Sequence, residues 1–126
     1  MLGVRESRRI VGEYTVSLHD ILTETRVEDA VANVAFNADL HTKTNKGQKC
    51  FSVKPYQIPL RALITKGFEG ILVAGRRISG EREAMVSYRV TANCTQMGEF
   101  TAYAVAEAKN KGLTVRDIQI DFSSQL

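Results

Sequence analysis

The sequence predicts an α+β fold: a small mixed sheet, several short helices and one long C-terminal helix. Three observations predict it. Met97, Thr101, Ala104 and Ala108 fall on one helical face, at i, i+4, i+7 and i+11. Ile71-Leu72-Val73-Ala74 is a short apolar run between a glycine turn and Gly75, the pattern of a strand buried on both faces. The first sixty residues alternate β-branched stretches with hydroxyl–acid pairs that cap helices.

In chain order, residues 9–16 (Arg-Ile-Val-Gly-Glu-Tyr-Thr-Val) read as a strand. Ser17 with Asp20 three places on is a capping box, so a short helix begins there. Thr25 with Glu28 repeats the signal and predicts a second short helix over residues 26–32. Residues 33–41 alternate weakly, as a strand would. Residues 42–49 carry Asn45, Gly47 and three lysines, the composition of a solvated loop. Residues 50–60 are extended, and Pro55 and Pro59 confine them to edge or irregular strand. Gly67 and Gly70 mark a turn before the 71–74 run. The long helix is expected from Asn93, which can cap it, to Lys111, with Lys109 and Lys111 in the last turn and Gly112 as its stop. Thr114 and Asp117 then frame one more turn.

The chain has 126 residues, the size of one domain, with 44% hydrophobic and 25% charged residues, ordinary globular values. Net charge is +3, with the basic residues spread along the chain apart from Arg8-Arg9 and Arg76-Arg77. A nucleic-acid footprint needs tighter clustering. Cys50 and Cys94 stand far apart and show no metal spacing, so neither a zinc site nor a disulfide framework is implied. No apolar run approaches the ~18 residues of a membrane span. The first residues lack the apolar stretch of a signal peptide, and the default expectation is a reducing cytoplasm.

Four local patterns occur in a fixed order. They are Arg5-Glu6-Ser7-Arg8-Arg9-Ile10-Val11-Gly12; Asp39-Leu40-His41; Tyr56-Gln57-Ile58-Pro59-Leu60-Arg61-Ala62-Leu63; and Ile71-Leu72-Val73-Ala74-Gly75-Arg76, continuing through Glu83-Ala84-Met85-Val86-Ser87-Tyr88-Arg89-Val90 to Cys94 and Gly98. Together they resemble the C-terminal portion of the FAD-dependent oxidoreductase family, the glutathione-reductase-like flavoproteins. The resemblance runs from about residue 5 to 120. It implies a fragment of a two-domain flavoprotein fold: residues 1–65 a remnant of the substrate domain, residues 66–126 the last strand and helix of the FAD-binding domain. No G-x-G-x-x-G occurs in this sequence, so the glycine-rich grip on the dinucleotide pyrophosphate is expected elsewhere.

By the same resemblance, Gly75 and Arg76 would lie at the carboxyl end of the strand near the flavin's ribityl and phosphate region. Arg89, Asn93 and Gly98 would line the cofactor where the long helix points its N-terminus at the ring. A helix N-terminus offers free N–H groups and a positive dipole end to the charge of a reduced flavin. Arg9, His41 and Arg61, with Arg5 and Arg8 nearby, are the candidate substrate and catalytic groups. A guanidinium fork suits a carboxylate or carbonyl substrate, and a histidine can carry the accompanying proton. The implied cofactor is FAD, which the segment alone is not expected to hold. A metal is not implied.

The sequence departs from the family at particular residues. Phe100 and Ala102 stand where the last helix usually has Ala and Gly, Arg82 where His is frequent, and Leu60 where an aromatic is common. These departures keep a second reading open: a free-standing oligomeric small-molecule or anion-binding domain that has lost flavin binding. Plainer roles also compete. They are a solvated pair for Arg8-Arg9, structural roles for His41 and Cys94, and pairing with Glu81 and Glu83 for Arg76-Arg77. Because an orphaned central strand must be covered, a homo-oligomer is expected.

Overall fold

The structure is a computed structural model, and it describes residues 8–40 and 49–119. It is α+β, as the sequence predicts. The elements are α1 (Leu18–Leu22), β1 (Ala30–Val34), β2 (Ala38–Leu40), β3 (Lys49–Phe51), β4 (Tyr56–Pro59), α2 (Arg82–Tyr88) and α3 (Thr91–Lys111), with 3-10 turns at Leu60–Ala62 and Gly75–Arg77. Strand pairing is antiparallel in both ladders, β1 with β4 and β2 with β3, and one parallel bridge joins Val16 to Gly80.

α1 begins where the capping box places it. The Ser17 hydroxyl accepts from Asp20 N–H, and the Asp20 carboxylate accepts from Ser17 N–H at 2.7 Å. Asp20 is buried because Tyr14 also donates to it at 2.7 Å. α3 stops at Gly112, which takes φ +66°, and Leu113 N–H closes back on Ala108 C=O at 2.9 Å. Its inner face carries Asn93, Met97, Phe100, Ala104 and Ala108, and it packs on β1. Gln96 accepts from Asn33 N–H at 3.1 Å across that contact. Val105, next to Ala104 in the chain, is 42% exposed.

Four expectations are corrected. Residues 9–16 are no strand; Gly12 and Val16 make only isolated bridges, to Thr65 and Gly80. Residues 26–32 are no helix. Thr25 does not cap, since its hydroxyl lies 3.0 Å from the Thr23 hydroxyl, and Ala30 enters β1, where packing against β4 outweighs a local capping signal. Residues 71–74 are extended but form no two-sided strand: only Leu72 bridges, to Ile64, and Ile71 is 49% exposed. Among the described residues only 63–65 run alongside, and burial on both faces needs neighbours on both edges. Finally, α3 starts two residues before Asn93, with Val90 as N-cap.

α2 had no periodic signal. Ala84, Met85, Val86, Ser87 and Tyr88 are all buried, so the helix has no solvated stripe to reveal its period. One core cluster joins Val31, Ile58, Leu63, Ile78, Met85 and Met97, on both sides of residue 65. The segment after α3 is fastened by Arg116, which pairs with Glu13 and Glu69 and donates to Thr65 C=O at 2.8 Å.

Two core phenols make the fold sensitive to base. Burial pushes Tyr56 and Tyr88 well above the usual value of 10.0. The folded state therefore keeps protons that the unfolded chain sheds above that value. Stability is intact below pH 10 and falls as pH rises beyond it, by about 1.4 kcal/mol per pH unit for each such tyrosine. Unfolding followed by circular dichroism should coincide with tyrosinate absorbance; phenols titrating in a still-folded protein would contradict this.

Candidate functional site

The centre of the candidate site is where the 71–74 segment meets the long helix. Gly67 and Gly70, at φ +79° and +71°, reverse the chain. The segment then runs beside residues 63–65, with Thr65 N–H donating to Ile71 C=O and Val73 N–H to Leu63 C=O. It ends at Gly75, whose φ of +83° favours glycine. A Cβ at Gly75 would lie 3.6 Å from Cys94 Sγ, so this backbone packs directly on the first turn of α3. The end of the apolar segment and the amino end of the helix thus share one corner of the molecule.

That corner has three chemical features. Burial pushes the half-buried Cys94 thiol up, while the Arg76 backbone and charge pull it part of the way down. Arg76 itself is exposed. The N-cap, Val90, brings no side-chain acceptor to the first free N–H groups of α3. Asn93 is 8% exposed, and its carboxamide nitrogen has no hydrogen-bond partner. A buried donor without an acceptor costs about 1–3 kcal/mol, and a ligand acceptor would recover it. One turn on, Gly98 has nothing within 4 Å of where its Cβ would be, so that stretch of the helix surface is open.

The remaining candidates fall in different places. Arg89 is half-buried and caps α2 immediately before α3. Arg61 is engaged elsewhere: its Nε and Nη2 bind Asp29 at 2.9 and 3.1 Å, and its guanidinium lies 5.4 Å over the Tyr14 ring. It lines a groove with Arg26, Asp29 and Arg116 rather than the Gly75 corner. Arg9 is half-buried, with Nη1 3.6 Å from Met85 Sδ, and lines a groove with Arg8, Thr15, Ser79 and Gly80. Ile10, which also lines this groove, donates its N–H to Arg77 C=O at 3.1 Å, beside the Gly75 corner. His41 and Arg5 lie outside the described residues. Thr15, Ser79, Gly80 and Tyr88 are not among the site residues expected from the sequence; the Ser79-Gly80 turn pair after two arginines is the one available signal.

A family model described as FAD dependent oxidoreductase matches residues 1–125. The chain belongs to the FAD dependent oxidoreductase family. No curated protein and no solved structure matches it. Full-length members of this FAD dependent oxidoreductase family imply FAD as cofactor. The corner fits part of such a cofactor: an orphaned amide donor, free helix N–H groups and an exposed guanidinium all complement oxygen and nitrogen acceptors. Phe100, a departure at a position where the family is small, turns its ring into the core, where it is 7% exposed. The open surface beside Gly98 is therefore not filled by that ring. Among the described residues no cluster could hold a metal ion.

Proposed function

We propose that this chain is the C-terminal portion of a glutathione-reductase-like FAD-dependent oxidoreductase, and that it supplies one wall of the flavin site without completing it. The observation that carries this is the meeting of Gly75 and Cys94, which sets Arg76 and the amino end of α3 around one corner. Bound there, FAD would supply the hydride chemistry, and the protein's task is to position and tune it. Arg76 would hold a phosphate or ribityl oxygen. Asn93 would donate its free amide hydrogen to an acceptor on the ring edge, and the α3 dipole would favour negative charge there. Gly98 would let the cofactor approach the helix backbone. The pyrophosphate grip would come from a glycine-rich turn outside this sequence.

Cysteine labelling tests this reading. Cys50 is exposed and Cys94 half-buried with a raised thiol pKa, so maleimide should modify Cys50 first. FMN carries the ring, the ribityl chain and one phosphate. At a few millimolar it should slow Cys94 modification by about threefold or more and leave Cys50 unchanged, as an affinity near 1 mM would give. An unchanged ratio of the two rates removes the flavin wall. Micromolar FAD binding with a perturbed flavin spectrum removes the claim that the segment is incomplete.

A second reading has one observation in its favour. Phe68, Ile71, Val105 and Leu113 are exposed and rim an apolar groove of about 370 Å³. A free-standing domain would cover such a patch by pairing with a second copy. This reading expects self-association and no flavin effect on Cys94, so the same labelling experiment separates the two. A small carboxylate or carbonyl substrate and a cytoplasmic setting are part of the first reading.

A further inference from the structure

The groove around Arg9 lies outside the flavin wall, and its composition is one-sided. It is lined by Arg8, Arg9, Ile10, Val11, Thr15, Ser79 and Gly80, encloses about 310 Å³ and contains no carboxylate. The acids near it in the chain are engaged elsewhere. Glu13 pairs with Arg116, Asp20 accepts from Tyr14 and Ser17, and Glu81 accepts from Leu18 N–H at 2.8 Å. Arg8 and Arg9 therefore line a groove that supplies no counter-charge among the described residues.

Two other lining residues, Thr15 and Ser79, carry hydroxyls. Ser79 is 2% exposed, and its Oγ lies 2.9 Å from Thr15 Oγ. Behind Gly80 stands the Tyr88 hydroxyl, which is buried and has no hydrogen-bond partner. Gly80 has no side chain, and this is what lets the phenol reach the groove wall: a Cβ there would overlap the Tyr88 hydroxyl and sit 3.0 Å from its Cζ. The phenol is protonated at neutral pH, as any tyrosine is, and burial raises its pKa further. Planar guanidinium forks beside hydroxyl donors match the oxygens of a carboxylate or phosphate.

We propose that the Arg8–Arg9 groove is a binding site for a small oxyanion, a carboxylate or a phosphate head group, held by both arginines with Thr15 and Ser79. The proposal rests on the flavoenzyme reading only in taking that oxyanion as the substrate's head group. Through Ile10 and Arg77 the groove adjoins the Gly75–Arg77 turn of the flavin wall.

The test is a titration of the flavin-free chain with succinate and, separately, with inorganic phosphate at constant ionic strength. The readout is the amide NMR signals of Thr15, Ser79 and Gly80. The expected result is a saturable shift at these amides with a dissociation constant of about 1 mM or tighter. Arg9→Gln should weaken it by about tenfold, the loss of one charge-assisted contact. The exposed Arg8→Gln should also weaken binding, and it keeps the test valid if Arg9→Gln disturbs packing on Met85. Lys66→Gln removes the same charge from an exposed side chain that does not line the groove and should leave binding unchanged. The tighter of the two probes tells a carboxylate from a phosphate head group. Shifts that never saturate with either anion, or equal weakening by the Lys66 and arginine variants, overturn the site. No flavin is present, so this failure leaves the Cys94 result standing, and a failed Cys94 result leaves this one standing.

Discussion

Phe100→Ala should destabilise the protein by about 3–5 kcal/mol, the cost of truncating a buried phenylalanine. The ring is 7% exposed on the inner face of α3, with Met97 and Ala104 on the same stripe. Alanine is the better helix former, and this offsets only a few tenths of a kcal/mol to about half a kcal/mol. Domains of this size unfold with about 5–15 kcal/mol, so the variant forfeits about a fifth or more of its stability. Urea denaturation would show this as a lower midpoint at unchanged slope. The result bears on function, because the family resemblance places a small residue at this position. A cost below about 1 kcal/mol would mean that the ring is not a core anchor and that the space beside Gly98 is differently shaped.

Gly80→Ala should cost about 1–3 kcal/mol, through overpacking rather than through lost contacts. The added methyl would overlap the Tyr88 hydroxyl, and Tyr88 is fully buried, so its ring cannot swing into solvent. Backbone strain is not involved, since Gly80 does not have a positive φ. Tyr88→Phe alone should be close to neutral, because it removes a buried hydroxyl that has no partner. The pair should then be non-additive: Gly80→Ala placed on Tyr88→Phe should cost clearly less than on the wild type. Thermal denaturation of the four proteins closes this cycle. An additive result would show that the penalty arises elsewhere than at the hydroxyl.

The parts legible in the sequence were those governed by a few neighbours along the chain. Ser17 and Asp20 cap α1 because both partners lie within one turn. Gly112 ends α3 because a left-handed residue is needed there, whatever surrounds it. The Met97, Ala104 and Ala108 stripe reads correctly because a long helix repeats its period often enough to be seen. Thr25 and Glu28 have the same local form as a cap and yet form none, since the Thr25 hydroxyl is taken by Thr23 and Ala30 by its pairing with Pro59. Arg61 went from a substrate candidate to the partner of Asp29 for the same reason.

The sequence by itself determined the α+β class, the long terminal helix and its stop, and through its ordered patterns the likeness to FAD-dependent oxidoreductases. Tertiary structure alone decided that Gly75 packs on Cys94, that Asn93 is left with an unpaired amide, and that Arg9 opens on Ser79 and Gly80. The physical reason is range. Caps and helical periods are set by bonds spanning three or four residues, whereas a binding corner is set by which distant segments compete for the same partner, and that is settled only when the core closes.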